Sequence, residues 1–285
     1  MKRITLVPIA GLCNRMNAIL SGILYKQSHN DVDLSIYWWK SHDCYCSFDD
    51  LFLPLKQFDV KPLKFSFKCR PGVLRNLYFP DFFRWLFYDA YYHNCAFKNY
   101  NFDEEIKNKH NIYITAFNSF CQYSYEDVNS IGTIFVLQPE LQQRLEKVTD
   151  SWNDDIIGLH IRRTDNMRST LNSPTENYFH AVDNELCKNP RARFYIASDS
   201  ELVKNEFINR YGRDIILTQD LRLDRGSVQG MKDAVVELYT LASCSKIYGT
   251  AYSTYSLLAS KIYNKEFIDC NNYENSQRNN IVSEK

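Results

Sequence analysis

The sequence predicts an α/β protein with two domains and parallel sheets, and three observations support this fold class. A strand, a glycine turn and a helix open the chain. Strand and helix patterns then alternate through the second half, which is typical of a parallel sheet. The length of 285 residues exceeds what one small core usually holds, so we expect two domains that each bury a core.

The opening segment has the pattern of a β-turn-α unit. Residues Arg3 to Pro8 resemble a short buried strand, and the chain then turns through Gly11 into an apolar helix that continues to Leu24. Glycine can adopt backbone angles closed to other residues, so we expect it to let a ligand approach the main chain beside the unpaired helix amides. A single glycine is a weak phosphate signature, and a simple tight turn is the alternative.

A polar break near residue 150 predicts the domain boundary. Residues 138–146 form a helical pattern with Pro139 at its start, and the polar stretch 150–155 precedes the next strand. We therefore expect a first domain at 1–150, a second at 151–270 and a polar tail at 271–285. The strand patterns of the second domain lie near 156–160, 194–197, 215–217 and 247–248.

The strand from Ile156 to Ile161 runs directly into Arg162 and Arg163, with Asp165 two residues later. Ligands of open α/β sheets bind at the carboxyl ends of the strands, and a guanidinium group pairs with phosphate oxygens and keeps its proton. These residues therefore predict a phosphate or diphosphate site. The alternative is an arginine pair that is solvated or salt-bridged to Asp165.

A second polar segment, Thr250 to Ser256, follows a helical pattern over 233–242 and a strand pattern over 246–249. Its hydroxyl groups, on Ser253 and Thr254, would face the same ligand edge as the arginines. They could instead cap the helix that follows, and Glu237 could be a solvated carboxylate of the preceding helix.

These segments resemble the motifs of GDP-fucose-dependent fucosyltransferases. Residues 11–15, Gly-Leu-Cys-Asn-Arg, are similar to their Gly-x-Gly-Asn-Arg/Gln element, and residues 160–165, His-Ile-Arg-Arg-Thr-Asp, are close to their His-x-Arg-Arg-x-Asp motif. That motif occurs in the α-1,6 and nodulation-factor enzymes and, in variant form, in the α-1,2 and protein O-fucosyltransferases. Residues 194–199 and 233–256 match the two segments that follow in the family.

The resemblance implies a GT-B-like fold, in which two Rossmann-like domains with parallel sheets face a cleft. The first domain would be on the acceptor side, and the second would bind the GDP-sugar. The implied reaction is inverting transfer of L-fucose from GDP-β-L-fucose to a hydroxyl of a glycan acceptor, either an oligosaccharide or a lipid-linked glycan. GDP-fucose is the donor substrate, and neither a metal nor another cofactor is implied. The implied donor-binding residues are Gly11, Asn14, Arg15, His160, Arg162, Arg163, Asp165, Glu237, Ser253 and Thr254.

Arg162 is the predicted catalytic residue. The resemblance places its guanidinium group on the β-phosphate, where negative charge grows as the fucose C1–O bond breaks, with Ser253 and Thr254 adding hydrogen bonds. His160 and Glu237 would contact guanine. The alternative for His160 is an imidazole bonded to a backbone carbonyl at the strand end.

The acceptor-activating base and the exact function class stay open. In the α-1,6 branch a glutamate lies several residues beyond the aspartate of the motif, but that position is Thr170 here. Asp165, Glu176 or a carboxylate of the first domain could act as the base, and Arg163 would hold Asp165 or support the strand end. Two alternative functions are a GT-B transferase that uses another nucleotide sugar and a catalytically silent module that binds a GDP-sugar or a glycan.

The composition argues against some classes of protein. Lys plus Arg and Asp plus Glu each number 34, which disfavours a general nucleic-acid binder. No apolar stretch approaches the length of a membrane span, and a strand within a few residues of Met1 leaves no room for a signal peptide. We therefore expect a cytoplasmic protein with peripheral contact to the inner membrane leaflet. The nine cysteines are expected to be free thiols, and the cluster 42–46 lacks a second pair at zinc spacing.

Aromatic side chains are concentrated between residues 77 and 102. Such a run is usually packing material, since aromatic side chains bury large areas. The alternative is acceptor recognition, because sugar rings stack on aromatic faces, and Arg70, Arg75 and Arg84 could meet a lipid phosphate or the inner leaflet.

Overall fold

The computed structural model describes residues 1–63, 86–95, 101–121, 131–152, 155–163, 173–222, 224–250 and 253–270. The chain folds as two compact units. The first unit comprises Met1–Asn129, Thr133–Gln138 and Asp224–Lys232, and the second comprises Ser130–Gly132, Pro139–Leu223 and Asp233–Lys285.

The described strands of the first unit form one parallel five-stranded sheet in the order β3-β2-β1-β5-β4. Among the described residues of this unit, α1 (Leu12–Ser28) and α2 (Phe102–Glu105) are helices, and Phe48–Asp50 forms a 3-10 turn. The strands are β1 (Lys2–Pro8), β2 (Val32–Trp38), β3 (Val60–Pro62), β4 (Ala90–Cys95) and β5 (Asn111–Ala116).

The first sheet forms because its central strands are apolar on both faces. Ile4, Leu6 and Val7 of β1 are buried, and α1 covers the sheet with a buried stripe that includes Met16 and Leu20. Buried apolar area of this kind is the main favourable term in folding. The predicted opening β-turn-α unit is confirmed.

The described strands of the second unit form another parallel five-stranded sheet, in the order β10-β9-β6-β7-β8. The strands are β6 (Ile156–Ile161), β7 (Arg193–Ser198), β8 (Ile216–Leu217), β9 (Lys246–Gly249) and β10 (Glu266–Asp269). The described helices are α3 (Pro139–Thr149), α4 (Thr175–Lys188), α5 (Glu201–Tyr211), α6 (Val228–Ala242) and α7 (Thr254–Ile262). The first residues of α6, up to Lys232, belong to the first unit. A 3-10 turn at Ile131–Thr133 precedes α3.

The second sheet has the common doubly wound strand order. All six residues of β6 are buried, and Phe194 and Ile196 of β7 pack in the same core with Phe207 of α5. The chain passes from β6 to β7 and β8 on one side, and then returns to place β9 and β10 on the other. The direction therefore reverses between β6 and β9, and this reversal is where open α/β sheets bind ligands. In the first sheet the last two strands are exchanged relative to this order.

Several predictions concerning single elements can be compared with the structure. The helix that begins at Pro139 and the four predicted strands of the second domain are confirmed. Six of the seven cysteines whose side chains are described are buried free thiols, and Cys187 is exposed. None of the helices in the described ranges combines the length and the apolar composition that a membrane crossing needs.

The aromatic run is described only in part, at 86–95 and from 101 onward. Phe102 is buried and packs against Tyr25 and Phe120, as core material does. Leu86 and Phe87, by contrast, are 52% and 59% exposed. Tyr88 and Tyr92 are half-buried, and Tyr91 is 45% exposed. The aromatic residues of the run at 78–85, 97 and 100, the three arginines near them and the tail 271–285 lie outside the described residues.

Candidate functional site

The candidate site lies at the carboxyl ends of β6 and β9, which pair in parallel in the second unit. Arg162 follows β6, and Thr250 follows β9. Gly249, the last residue of β9, lies close to α7, because a Cβ atom on it would lie 2.6 Å from Cβ of Ser256. Glycine is therefore required at the end of β9 for α7 to pack this closely against the strand.

His160 is the last but one residue of β6, and its side chain is buried. Its ring stacks on Tyr255, with centroids 4.8 Å apart and planes at 23°. The Nδ1 atom has no hydrogen-bond partner among the described residues, whereas the backbone oxygen accepts a hydrogen bond from the Tyr178 hydroxyl at 2.9 Å. Burial and the positive charge of Arg162 lower the pKa of His160 to about 3. The imidazole is therefore neutral at neutral pH.

The two arginines after β6 are held differently. Arg163 donates from Nη1 to the Arg162 oxygen at 2.8 Å and from Nη2 to Thr175 Oγ1 at 3.0 Å. Its backbone N–H donates to Asp199 Oδ1 at 2.8 Å. Arg163 thus supports the strand end, one of the two structural roles considered for it. Arg162 is half-buried and close enough to His160 to depress the pKa of that ring.

Glu237 lies on α6 and is 5% exposed. Its Oε2 accepts a hydrogen bond from the Tyr255 hydroxyl at 3.2 Å, and the same hydroxyl lies 3.2 Å from the Ala234 oxygen. Burial raises the pKa of Glu237 to about 7, against the opposing positive charge of Lys204. The interpretation of Glu237 as a solvated helix carboxylate is therefore wrong, since its helix turns this side chain inward under Tyr255.

Ser253 precedes α7 and is 1% exposed. The interpretation as a side-chain cap is wrong for this residue, because its hydroxyl makes no capping bond. Within the described ranges its Oγ has no hydrogen-bond partner at all, while its N–H donates to the Thr250 oxygen at 3.0 Å. A buried hydroxyl without a partner calls for a ligand or a water molecule. Thr254, the first residue of α7, is half-buried.

Comparison with known proteins identifies the architecture. No protein-family model and no curated protein sequence matches the chain. Among solved structures, a NodZ α-1,6-fucosyltransferase soaked with GDP-fucose is 16% identical, with a TM-score of 0.60 over 92% of this chain and 93% of that one. A mutant of Arabidopsis thaliana FUT1 in complex with GDP is 14% identical, with a TM-score of 0.58 over 93% of this chain and 70% of that one.

A third structure, POFUT1 in its apo form, is 12% identical, with a TM-score of 0.56 over 94% of this chain and 97% of that one. The chain has the fold of these fucosyltransferases. The predicted GT-B-like class, with two Rossmann-like halves and parallel sheets, is confirmed. At such low sequence identity the similarity concerns the fold, and the roles of single residues rest on the geometry described here.

In the first half of this fucosyltransferase fold, the turn after β1 departs from expectation. Gly11 has φ −71° and ψ 169°, an extended conformation that any residue adopts, and the positive φ of 65° occurs at Ala10. The predicted reason for glycine at this position is therefore wrong. Arg15 Nε donates to the Ala10 oxygen at 2.7 Å, which stabilises the unusual backbone of Ala10. A Cβ atom on Gly11 would meet nothing within 4 Å, so space for a ligand is still open there.

Arg15 is fully buried in the first unit. Its Nη1 donates to the Trp39 oxygen, its Nη2 donates to Ser41 Oγ at 2.6 Å, and its guanidinium group lies 4.9 Å from the ring centroid of Trp38. Arg15 thus ties the turn after β1 to the end of β2. Its role in donor binding, like that of the half-buried Asn14, stays a prediction.

Some site residues were predicted and others were missed. Asp165 lies in 164–172, outside the described residues. Asp199, Tyr255 and Lys204 were not predicted as site residues. Asp199 directly follows β7, so the strand-end argument that selected the arginines could have found it. Over the part of the chain that is described, no group of three or more His, Cys, Asp or Glu side chains is arranged to hold a metal ion.

Proposed function

We propose that this protein transfers L-fucose from GDP-β-L-fucose to a hydroxyl of a glycan acceptor, with inversion at the anomeric carbon. The observation that carries the proposal is the convergence, at the strand reversal of the second sheet, of a neutral His160, a buried Glu237 acceptor and the fixed cation of Arg162. The fold similarity to proteins solved with GDP-fucose and with GDP supports the choice of donor.

Guanine recognition is assigned to Glu237 and His160. Guanine presents two neighbouring N–H donors, at N1 and N2, and an ionised carboxylate accepts from both. Adenine lacks this pair of donors. An adenine nucleotide would leave the buried carboxylate unpaired and would bind less favourably by about 1–3 kcal/mol. The neutral ring of His160, stacked on Tyr255, supplies a nitrogen that bonds a base edge without adding a competing positive charge.

The diphosphate is assigned to Arg162 together with Ser253 and Thr254. As the fucose C1–O bond breaks, the shared electron pair leaves with the β-phosphate oxygen, and negative charge grows there. A guanidinium group fixed at that position stabilises the transition state more than the ground state, which raises the rate of the chemical step. The partnerless hydroxyl of Ser253 would gain a hydrogen bond from the same ligand.

The remaining assignments complete the proposal. Residues 151–270 would bind the GDP-sugar, and residues 1–150 would bind an oligosaccharide or lipid-linked acceptor used in polysaccharide biosynthesis. A cytoplasmic location with peripheral contact to the inner leaflet is consistent with the exposed Leu86 and Phe87. Glu176, exposed in the first turn of α4 next to the Thr175 that holds Arg163, is a candidate base.

The test is a panel of nucleotide sugars measured without acceptor, by both calorimetric binding and slow donor hydrolysis. We expect GDP-fucose to bind and to be hydrolysed, with GDP-mannose, UDP-sugars and CMP-sugars far weaker. Hydrolysis of a different donor would assign the protein to another GT-B specificity. Binding of GDP-fucose without any hydrolysis would instead support a silent binding module.

A further inference from the structure

Lys204 is a lysine buried in the second unit. It lies on α5, four residues after the cap residue Ser200, and its side chain is 2% exposed. Val203 and Phe207 of the same helix are also buried. Lysine is almost never fully buried unless it is paired, because removing its charge from water costs free energy. The burial of Lys204 therefore needs a partner that justifies it.

The contacts of Lys204 lead toward α6. Its Nζ lies 2.7 Å from Glu201 Oε1 and donates to the Gln219 backbone oxygen at 3.5 Å. Glu201 is 73% exposed, so this ion pair by itself does not require the lysine to be buried. Gln219 Nε2 donates to Thr240 Oγ1 at 3.3 Å, and Thr240 lies one helical turn after Glu237. Lys204 is thus connected through Gln219 to the turn of α6 that carries the proposed guanine acceptor.

Groups from three further elements face Glu237. Tyr255 of α7 donates to its carboxylate, and the ring of His160 in β6 stacks on that tyrosine. Negative charges on Asp199, after β7, and on Glu201 oppose ionisation of the Glu237 carboxyl. The buried phenol of Tyr195 in β7 has its pKa raised by burial and by the Glu237 charge. Among these groups, the ammonium group of Lys204 is the cation that favours the ionised carboxylate.

We propose that Lys204 is a positioning residue for nucleotide recognition, whose buried ammonium group favours the form of Glu237 in which the carboxylate accepts from the two N–H donors of guanine. This inference rests on the function proposed above. Lys204 does not touch the nucleotide in this scheme. Lys204 acts on the charge of Glu237. Without the ammonium group, the protonated form of Glu237 is favoured, and one of the two oxygens then no longer accepts a hydrogen bond from guanine.

The first test is the pH dependence of GDP-fucose binding, measured by calorimetry from about pH 5.5 to about pH 8.5. GDP-fucose is the probe because its diphosphate, substituted at both ends, has no ionisation in this range. Wild-type affinity should rise with pH and level off once Glu237 is ionised. In Lys204→Met the midpoint of this rise should move up by about one pH unit. Affinity should then be about fivefold lower than wild type at pH 7 and should approach the wild-type value at the highest pH.

Three variants isolate the charge effect. Lys188→Met removes an ammonium group that pairs with a different carboxylate, Glu185, and should leave the profile unchanged. In a Glu237→Gln background, Lys204→Met should have no effect on the pH dependence. Glu201→Gln, at an exposed site that tolerates substitution, should move the profile to lower pH by removing a negative charge. If Lys204→Met does not fold, Lys204→Gln removes the same charge while keeping an N–H donor for the Gln219 oxygen, and it should show the same displacement of the profile.

The second test measures the ionisation of Glu237 directly in the ligand-free protein, from the ¹³C shift of its carboxyl carbon during a pH titration. A higher midpoint in Lys204→Met than in wild type is expected. If the midpoint moves but wild-type protein does not bind GDP-fucose, the proposed function fails and the role of Lys204 in nucleotide recognition fails with it. If GDP-fucose binds but the midpoint stays, or if affinity falls equally at every pH, the inference on Lys204 alone is overturned.

Discussion

Glu237→Gln should make the protein more stable above pH 7 while weakening its binding of GDP-fucose. Burial raises the pKa of Glu237 from 4.5 to about 7. At about 1.4 kcal/mol per unit, this rise corresponds to about 3 kcal/mol of unfolding free energy lost when the buried carboxyl ionises. Glutamine has nearly the same size and does not titrate, and its amide oxygen can still accept from the Tyr255 hydroxyl.

The sign of the pH dependence follows from a folded-state pKa that lies above the unfolded one. The stabilising contribution of the Glu237 proton is fully present below pH 4.5 and is lost as the pH rises through about 7. The stability advantage of Glu237→Gln should therefore be small near pH 4.5, grow through the neutral range and level off above pH 7. GDP-fucose affinity should meanwhile fall by about 1–3 kcal/mol, because an NH₂ donor replaces one acceptor.

Urea unfolding at about pH 5 and about pH 8 measures the difference in unfolding free energy between Glu237→Gln and wild type. Calorimetry with GDP-fucose at the higher pH measures the difference in affinity. Glu206→Gln, an exposed carboxylate on α5, is the matched control and should change neither quantity. A stability difference that is the same at both pH values would show that Glu237 is not a buried titrating group. Unchanged GDP-fucose affinity would remove Glu237 from the nucleotide site.

Three further predictions concern the same edge of the sheet. Arg162→Lys should lower kcat far more than it weakens donor binding, because lysine keeps the charge but loses the paired geometry; wild-type turnover by this variant would exclude the phosphate assignment. Ser253→Ala should leave the melting temperature nearly unchanged, since its hydroxyl has no partner among the described residues, but should weaken GDP-fucose binding by about 1 kcal/mol; calorimetry showing wild-type affinity would contradict this. Transfer activity should survive excess EDTA, and its loss, reversed by Mg²⁺ or Mn²⁺, would refute the arginine-based scheme.

The pH dependence of folding offers one more prediction, at His160. Its folded pKa of about 3 lies below the ordinary value of 6.5, so its contribution to stability is present above pH 6.5 and is lost as the pH falls toward 3. In His160→Phe, the unfolding free energy measured by urea titration should fall less steeply between pH 6.5 and pH 3 than in wild type. An equally steep fall in both proteins would show that the ring is not buried in its neutral form.

The fold and the location of the site could be predicted because both depend on local patterns. A buried strand is continuous in apolar residues, and its carboxyl end is marked where the polar residues begin, as at Arg162. The second sheet was therefore predictable strand by strand. The resemblance of residues 160–165 to a known motif then added the chemistry.

Tertiary burial could not be predicted in the same way. Arg15 and Lys204 each lie on a helix whose sequence would allow them to point to solvent, and in both cases partners distant in sequence decide otherwise. The backbone at Ala10 is another example, because the arginine five residues later stabilises a conformation that glycine would normally be expected to adopt. Such effects depend on which elements become neighbours, which a single sequence does not state.

The exchanged order of β4 and β5 in the first sheet has a consequence for how the chain folds. Strand β4 precedes β5 in the sequence, yet it pairs with the outer side of β5 and is separated by it from β1. While the polypeptide is being synthesised, β4 therefore has no place in the sheet until residues 111–116 have emerged. A chain truncated before Asn111 would leave one side of β1 and all of β4 unpaired, and unpaired strand edges promote association between molecules. Fragments that end shortly before Asn111 should therefore aggregate more on expression than fragments that end shortly after Ala116, as measured by the soluble fraction.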